Sequence, residues 1–197
     1  MTAELRQASL LRKLIHLGTA IVPAAGWCVS FQLALGLAGA MTVASLLLEA
    51  ARRWWQWPNR LLWRLIPSVF RSREQRNVLG STWLAVGMLL TLLLFGRDVG
   101  GTAVLFLAWG DPAAEVAGRR WGRPGQRKSL AGSLGCLGAC LLAAAVGIWL
   151  GGLSPAAAVT GALAATLVER WSPPPDDNVW MPLLSGVVIL LVQRLAG

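Results

Sequence analysis

Charge is what this sequence has least of. Only 14% of its 197 residues are Asp, Glu, Lys or Arg, against about 25% in an ordinary soluble domain. Hydrophobic residues make up 55% and the mean hydropathy is +0.58. That balance excludes a soluble globular class and points to an integral membrane protein. Cysteine is scarce too. Cys28, Cys136 and Cys140 all lie in apolar runs. Cys136 and Cys140 fall on one helix face with no His nearby, so metal spacing is missing and packing is their expected role. No A-x-A-like site in a polar context interrupts the first apolar run, so no cleavable leader is expected. A soluble segment, an extended linker and an internal repeat are also missing, and the length fits one domain over 1–197.

Long apolar runs are what the chain has instead. Seven can be counted: Leu14–Val29, Phe31–Ala51, Val78–Phe95, Val99–Ala117, Gly132–Leu150, Ala156–Val168 and Val179–Leu195. Several approach the roughly 20 residues a spanning helix needs, and the sixth is short. Inside lipid every backbone polar group must be satisfied within the segment, so these runs predict an all-α membrane protein of about seven helices.

The net charge of +9 is unevenly placed. Arg6, Arg12 and Lys13 precede the first run. Arg52, Arg53, Arg60, Arg64, Arg71, Arg73 and Arg76 follow the second, and Arg119, Arg120, Arg123, Arg127 and Lys128 follow the fourth. Arg170 follows the sixth, which leaves only Arg97 and Arg194 for the other side. Lys and Arg concentrate on the cytoplasmic side, so the N-terminus is expected inside and the C-terminus outside. This topology accounts for the basic charge without nucleic acid. The link "RRWWQWPNRLLWRLIPSVFRSREQRN" alternates Trp54, Trp55, Trp57 and Trp63 with Arg. It carries an apolar stripe at helical spacing, which predicts an amphipathic helix near 59–70 lying in the interface.

Two runs contain breakers. Pro112 predicts that the fourth helix kinks or ends near Gly110, with Asp111 capping a new turn. Ser154-Pro155 has the same form before the sixth.

The remaining polar residues cluster by position. Lys13 and His16 share a face of the first helix. Glu49 closes the second helix near Arg52 and Arg53. Asp111 and Glu115 stand at i, i+4 near the end of the fourth. Lys128, Ser129, Gly132 and Ser133 open the fifth. Glu169 closes the sixth, and Asp176, Asp177 and Asn178 open the seventh. In the topology above all of these lie at the cytoplasmic face. Orientation explains most of the Arg residues but not the carboxylates, which are costly near a membrane and are usually functional there. Asp111, Glu115, Asp176 and Asp177 offer hard oxygens suited to Mg²⁺, and Lys128 with nearby Arg suits phosphate oxygens. Together they resemble the equipment of phosphoryl or nucleotidyl transfer. "GRPGQRKS" is only superficially a Walker A loop, because Arg127 stands where Gly is required and no strand precedes it.

Three blocks carry a family resemblance: "RKLIHLGTAIVP", "GDPAAEVAGRRWGR…RKSLAGSLG" and "VERWSPPPDDNVWMPLLSG". They resemble the polyprenol kinase family, which includes dolichol kinase, phytol kinase and the CTP-dependent diacylglycerol kinase. The central block is also similar to CDP-diacylglycerol synthase, but "DDNVWMP" stands where that enzyme has its C-terminal signature. The resemblance implies a kinase moving the γ-phosphoryl of a nucleotide, often CTP, with ATP left open, to an isoprenoid or other lipid alcohol; by the topology above its site would face the cytoplasm of a bacterial-type membrane. By the same resemblance Lys13, His16, Asp111, Lys128 and Asp177 would be catalytic. Lys128, Ser129, Gly132, Ser133 and Asn178 would meet the nucleotide, and Asp111 and Asp177, with Glu115 and Asp176, would hold Mg²⁺. Glu49, Arg52 and Glu169 would support the site. One position departs from the family's Lys-Ser-x-Glu-Gly-Ser: Ala131 replaces the Glu, a place that Glu115 or another carboxylate would have to fill. The implied partners are the nucleotide, a lipid alcohol and membrane lipids, and a homo-oligomer is compatible with them. The rival functions are a cytidylyltransferase making a CDP-lipid and a non-enzymatic transporter or scaffold.

Overall fold

The computed structural model describes residues 12–55, 57, 60, 61, 64, 77–123, 128–171 and 173–196. Among these every regular element is helical. A short helix α1 (12–18) is followed by α2 (Ile21–Cys28), α3 (Phe31–Trp54), α4 (Gly80–Phe95), α5 (Gly101–Trp121), α6 (Leu130–Gly151), α7 (Pro155–Trp171) and α8 (Asp177–Ala196). Four stretches are long and apolar enough to cross a membrane: α3, the 42 residues Gly80–Trp121, α6, and α8. Helix α7, with 17 residues, falls short on length.

The 42-residue stretch is not one rod. Gly96 has φ 72°, a left-handed value that any Cβ would oppose, and a π-helical turn Gly96–Gly100 follows it. A Cβ placed on Gly100 would lie 2.9 Å from the carbonyl oxygen of Thr91. Nine residues along a straight helix would separate these groups by about 13.5 Å. The chain therefore doubles back, and α4 and α5 form a hairpin. The third and fourth apolar runs are separate helices, as their lengths suggest.

The first run also divides. Thr19 Oγ1 donates to the carbonyl of His16 at 2.6 Å, and the chain turns at Thr19 and Ala20 before α2 begins. Pro23 then falls in the first turn of α2, where its missing N–H costs nothing. Of the interfacial helix expected near 59–70, only residues 60, 61 and 64 are described, and all are helical; the rest lies outside the described residues. Trp54, Trp55 and Trp57 are exposed.

Helix α5 is the axis of the bundle. Every residue from Val99 to Ala108 is buried, as expected of a helix apolar on all sides. Helices α3, α6, α7 and α8 turn large apolar side chains outward, among them Leu47, Leu142, Leu163 and Leu191. Between helices the contacts use small residues, since lipid gives no hydrophobic drive for association and close backbone approach supplies the attraction. Gly135 of α6 shows this: a Cβ there would sit 2.5 Å from Ala117 Cβ on α5. Cys136 and Cys140 are fully buried, 3.9 Å apart at sulfur, and pack against Gly110. They are core residues, as their positions predict.

Candidate functional site

The polar groups of α1, α5, α6, α7 and α8 meet at one end of the bundle. Helix α5 runs unbroken through Pro112. The expected break near Gly110 does not form, and Asp111 lies inside a helix instead of capping one. Proline is tolerated inside membrane helices because neighbouring helices and side chains re-satisfy the freed backbone groups. The continuity has a consequence: Asp111, Glu115 and Arg119 follow at i, i+4 and i+8 on one face.

That face meets α1. His16 Nδ1 lies 3.3 Å from Asp111 Oδ2. One turn on, Glu115 collects three cations: Arg12 at 2.6 Å, Arg119 at 2.7 Å and Lys13 at 3.8 Å. The shared faces expected for Lys13 with His16, and for Asp111 with Glu115, are thus both present, and they face each other.

The second half of the site centres on Lys128, in the link before α6. Its ammonium lies 2.5 Å from Glu169 Oε1 at the end of α7 and 3.3 Å from Asp177 Oδ2 at the start of α8. Burial disfavours the charged ammonium. The hydrogen bond to Glu169 and the negative charges of Asp177, Glu169 and Asp111 outweigh it and hold the pKa of Lys128 above its ordinary value. Lys128 thus lies in the field of Asp111 as well, which links the two halves.

Ser129 and Gly132 are tied to each other. Ser129 caps α6, its Oγ accepting from the Gly132 N–H at 3.1 Å. Gly132 lies close against α5, where an added Cβ would be 3.0 Å from the Ala114 carbonyl oxygen. Ser133 Oγ accepts from Arg170 Nη1 at 3.2 Å. Ser154 caps α7 in the same way, accepting from Ala157 N–H at 3.3 Å with Pro155 in the first position, as its sequence form predicts.

Of the four carboxylates expected around a metal, Asp111 and Asp177 both lie in the field of Lys128, while Asp176 and Glu115 meet other partners. Asp176 is turned to its own chain, its Oδ1 accepting from both the backbone N–H and the side-chain amide of Asn178, at 3.2 and 2.7 Å. The amide of Asn178 also donates to the Gly80 carbonyl at 3.3 Å, joining α8 to α4. Glu115 is surrounded by cations. Among the described residues no three His, Cys, Asp or Glu side chains are grouped as metal ligands.

Glu49 and Arg52 stand apart from the Lys128 cluster. Arg52 binds Glu49 through two bonds of 2.9 Å and also donates to the Asn77 carbonyl. Glu49 accepts in addition from Arg53 at 2.9 Å and from the Leu79 N–H at 3.3 Å. Leu79 is the N-cap of α4 and has no side chain to cap it, so Glu49 supplies from α3 what the local sequence lacks. This pair joins two helices. Sequence reading placed Glu169 only in a supporting role, and Arg119 and Arg170 among the orienting cations. The spacing of Arg119 to Glu115 is local, but the partners of Glu169 and Arg170, Lys128 and Ser133, are distant in the chain and nothing in the local sequence shows them.

An all-helical membrane protein with facing carboxylates and cations at one end of its bundle is the class that fold and site define. The curated relatives are more particular. The chain is similar to CTP-dependent diacylglycerol kinase 1 of Saccharomyces cerevisiae, 30% identical over 92 residues, which cover 45% of this chain and 32% of that protein. It is likewise similar to CTP-dependent diacylglycerol kinase 1 of Schizosaccharomyces pombe, 35% identical over 85 residues, 40% of this chain and 39% of that protein. Both fall in the polyprenol kinase family that the sequence blocks resemble. The matched region spans 32% and 39% of the length of these relatives. No family model and no solved structure matches the chain.

Proposed function

We propose that the protein is a membrane-embedded kinase that transfers the γ-phosphoryl of CTP to a lipid alcohol. The observation that carries this reading is the placement of Lys128 between Glu169 and Asp177, within the field of Asp111, at the end of the bundle where Lys13 and His16 also converge. The similarity to two CTP-dependent diacylglycerol kinases supports the nucleotide and the acceptor class. Diacylglycerol is therefore an acceptor to test beside phytol and longer polyprenols.

In this reading the chain crosses the membrane seven times, with its N-terminus and the site on the cytoplasmic side. The cation partition supports the orientation, and the hairpin at Gly96 supports counting α4 and α5 as two crossings. The lipid tail lies among the outward Leu and Val side chains, and the hydroxyl reaches the polar end. The acceptor hydroxyl releases its proton as its oxygen attacks the γ-phosphorus, the bond to the β–γ bridging oxygen breaks, and CDP leaves. Lys128 exchanges its carboxylate partners for phosphate oxygens, and Lys13 and His16 face the hydroxyl or the γ-phosphoryl. The N-terminal turn of α6 adds the amides of Leu130 and Ala131, which have no partner within the helix by its geometry.

The donor set fits Mg²⁺, which is usually held by one or two carboxylates together with substrate phosphates. Asp111 and Asp177 would hold it, and it would neutralise charge on the β- and γ-phosphates. Glu115 and Asp176 have other tasks, described above. Glu169, on Lys128, supplies the acidic group that Ala131 does not.

The test is purified protein in lipid nanodiscs, given γ-labelled CTP or ATP and a panel of lipid alcohols. Label in the lipid with CDP release is the expected result. Pyrophosphate release with a CDP-lipid product would replace the kinase reading with a cytidylyltransferase.

A further inference from the structure

A side-chain amide has two N–H donors and one acceptor oxygen, and when buried it needs all of them met. Asn178 is 4% exposed and opens α8 beside Asp177. Its Nδ2 donates to Asp176 Oδ1 at 2.7 Å and to the Gly80 carbonyl at 3.3 Å. Both of those atoms are acceptors, so the network fixes which end of the amide is nitrogen. The two donors are thereby used. Oδ1 lies on the other branch of the same planar amide, turned away from those two oxygens, and has no hydrogen-bond partner within the protein. A buried acceptor in that state is costly and calls for an explanation. The buried hydroxyl of Thr82 is also without a partner. A hydroxyl rotates and can turn to a carbonyl of its own helix, whereas the Asn178 amide is held in place by two bonds.

Position decides what this oxygen receives. Consecutive Cα atoms are about 3.8 Å apart, and the adjoining Asp177 meets the Lys128 ammonium at 3.3 Å. Asn178 therefore stands beside the place given above to the γ-phosphoryl. Phosphate oxygens are acceptors and offer an amide oxygen nothing. The ribose hydroxyls and the base amine lie beyond two more phosphates. The donor that must come within about 3–3.5 Å of the γ-phosphorus is the hydroxyl of the acceptor. We propose that Asn178 Oδ1 accepts a hydrogen bond from the hydroxyl of the lipid alcohol, so that the site selects lipids with a free OH. The amide holds the hydroxyl and takes no proton from it. With its hydrogen turned to Oδ1, the hydroxyl keeps its lone pairs for the phosphorus. The inference deepens the kinase reading and rests on it for the placement of the γ-phosphoryl. It gives Asn178 an acceptor's task in place of the nucleotide contact that the family resemblance implies.

A methyl ether can accept a hydrogen bond but not donate one, so paired ligands isolate the contact. The probes are dioctanoylglycerol and phytol, each against its own O-methyl ether. The readout is the shift in melting temperature of the full chain in detergent without nucleotide, which needs no catalysis. The wild type should bind alcohol over ether by about tenfold, the worth of one hydrogen bond to a buried acceptor. Asn178→Ala should abolish that preference. Asp176→Ala loosens the same end of α8 without removing Oδ1, so it should lower the melting temperature and keep the preference. The wild-type comparison stands even where a variant fails to fold. Equal responses to alcohol and ether in the wild type, or none to either pair, overturn the proposal and leave Oδ1 to water. A weaker Mg²⁺ response in Asn178→Ala with its alcohol preference intact also overturns it, in favour of a metal contact. A preference that Asn178→Ala abolishes, with no lipid phosphorylated from CTP or ATP, keeps the alcohol site and sinks the kinase reading.

Discussion

Lys128 and Glu169, forty-one positions apart in the chain, meet at 2.5 Å. The contact brings the link before α6 to the C-terminal end of α7, and Asp177 closes it from α8. If this ammonium reaches the transferred phosphoryl, Lys128→Met removes mainly transition-state stabilisation. The expected loss in kcat/KM is on the order of 10²-fold, while Arg120→Met costs far less. Lipid phosphorylation by both variants, each checked for expression and monodispersity, measures it. Equal small losses would reduce the stretch to a solvated basic loop.

The raised pKa of Lys128 gives a pH dependence with a definite sign. A cation stabilised in the fold contributes fully below its unfolded pKa, about 10.4. That contribution disappears as pH rises through the higher folded value. Between pH 7 and 9 the wild-type melting temperature should therefore owe no pH dependence to Lys128. In the alkaline range above about pH 10.4 it should fall more steeply than that of Lys128→Met. Parallel alkaline limbs would show that the carboxylates do not hold the ammonium in solution.

Asp111→Asn keeps size and hydrogen bonding while removing the charge a divalent cation needs. Turnover should collapse and not recover at saturating Mg²⁺. A folded variant with near-normal turnover and the wild-type Mg²⁺ dependence would take Asp111 out of the metal site.

Orientation is open to cysteine labelling. In a background without Cys28, Cys136 and Cys140, a cysteine introduced as Gly125→Cys should react with an impermeant maleimide only from the cytoplasmic side. Labelling from the external side alone would invert the topology drawn from the cations.

Much of this architecture was legible because membrane helices are written locally. Apolar length marks α3, α6 and α8, and Ser154-Pro155 marks the start of α7. The i, i+4 spacing of Asp111 and Glu115 puts them on one face, and the structure sets that face against Lys13 and His16. Pro112 misled for a physical reason. The local rule allows a helix to end there, but with Pro112 itself buried against neighbouring helices α5 continues through it, and that outcome depends on neighbours. The division at Thr19 depends on a side-chain bond to a nearby carbonyl and on Pro23, within a run that composition alone reads as continuous. Glu49 capping α4, and Glu169 binding Lys128, pair residues from different helices. Such pairings follow from packing, which a single sequence does not record.

The hairpin at Gly96 bears on how the chain enters a bilayer. Its tip carries one cation and one anion, Arg97 and Asp98, and these bind each other at 2.8 Å. In the proposed seven-crossing topology the two cross together and move no net charge through the membrane, so the transmembrane potential would do no work on the turn. Helices α4 and α5 can then insert as one preformed pair, with neither helix waiting for a separately translocated loop. In the proposed topology the left-handed residue that bends the chain also keeps this tip short, and a longer or singly charged tip would tie insertion to the membrane potential.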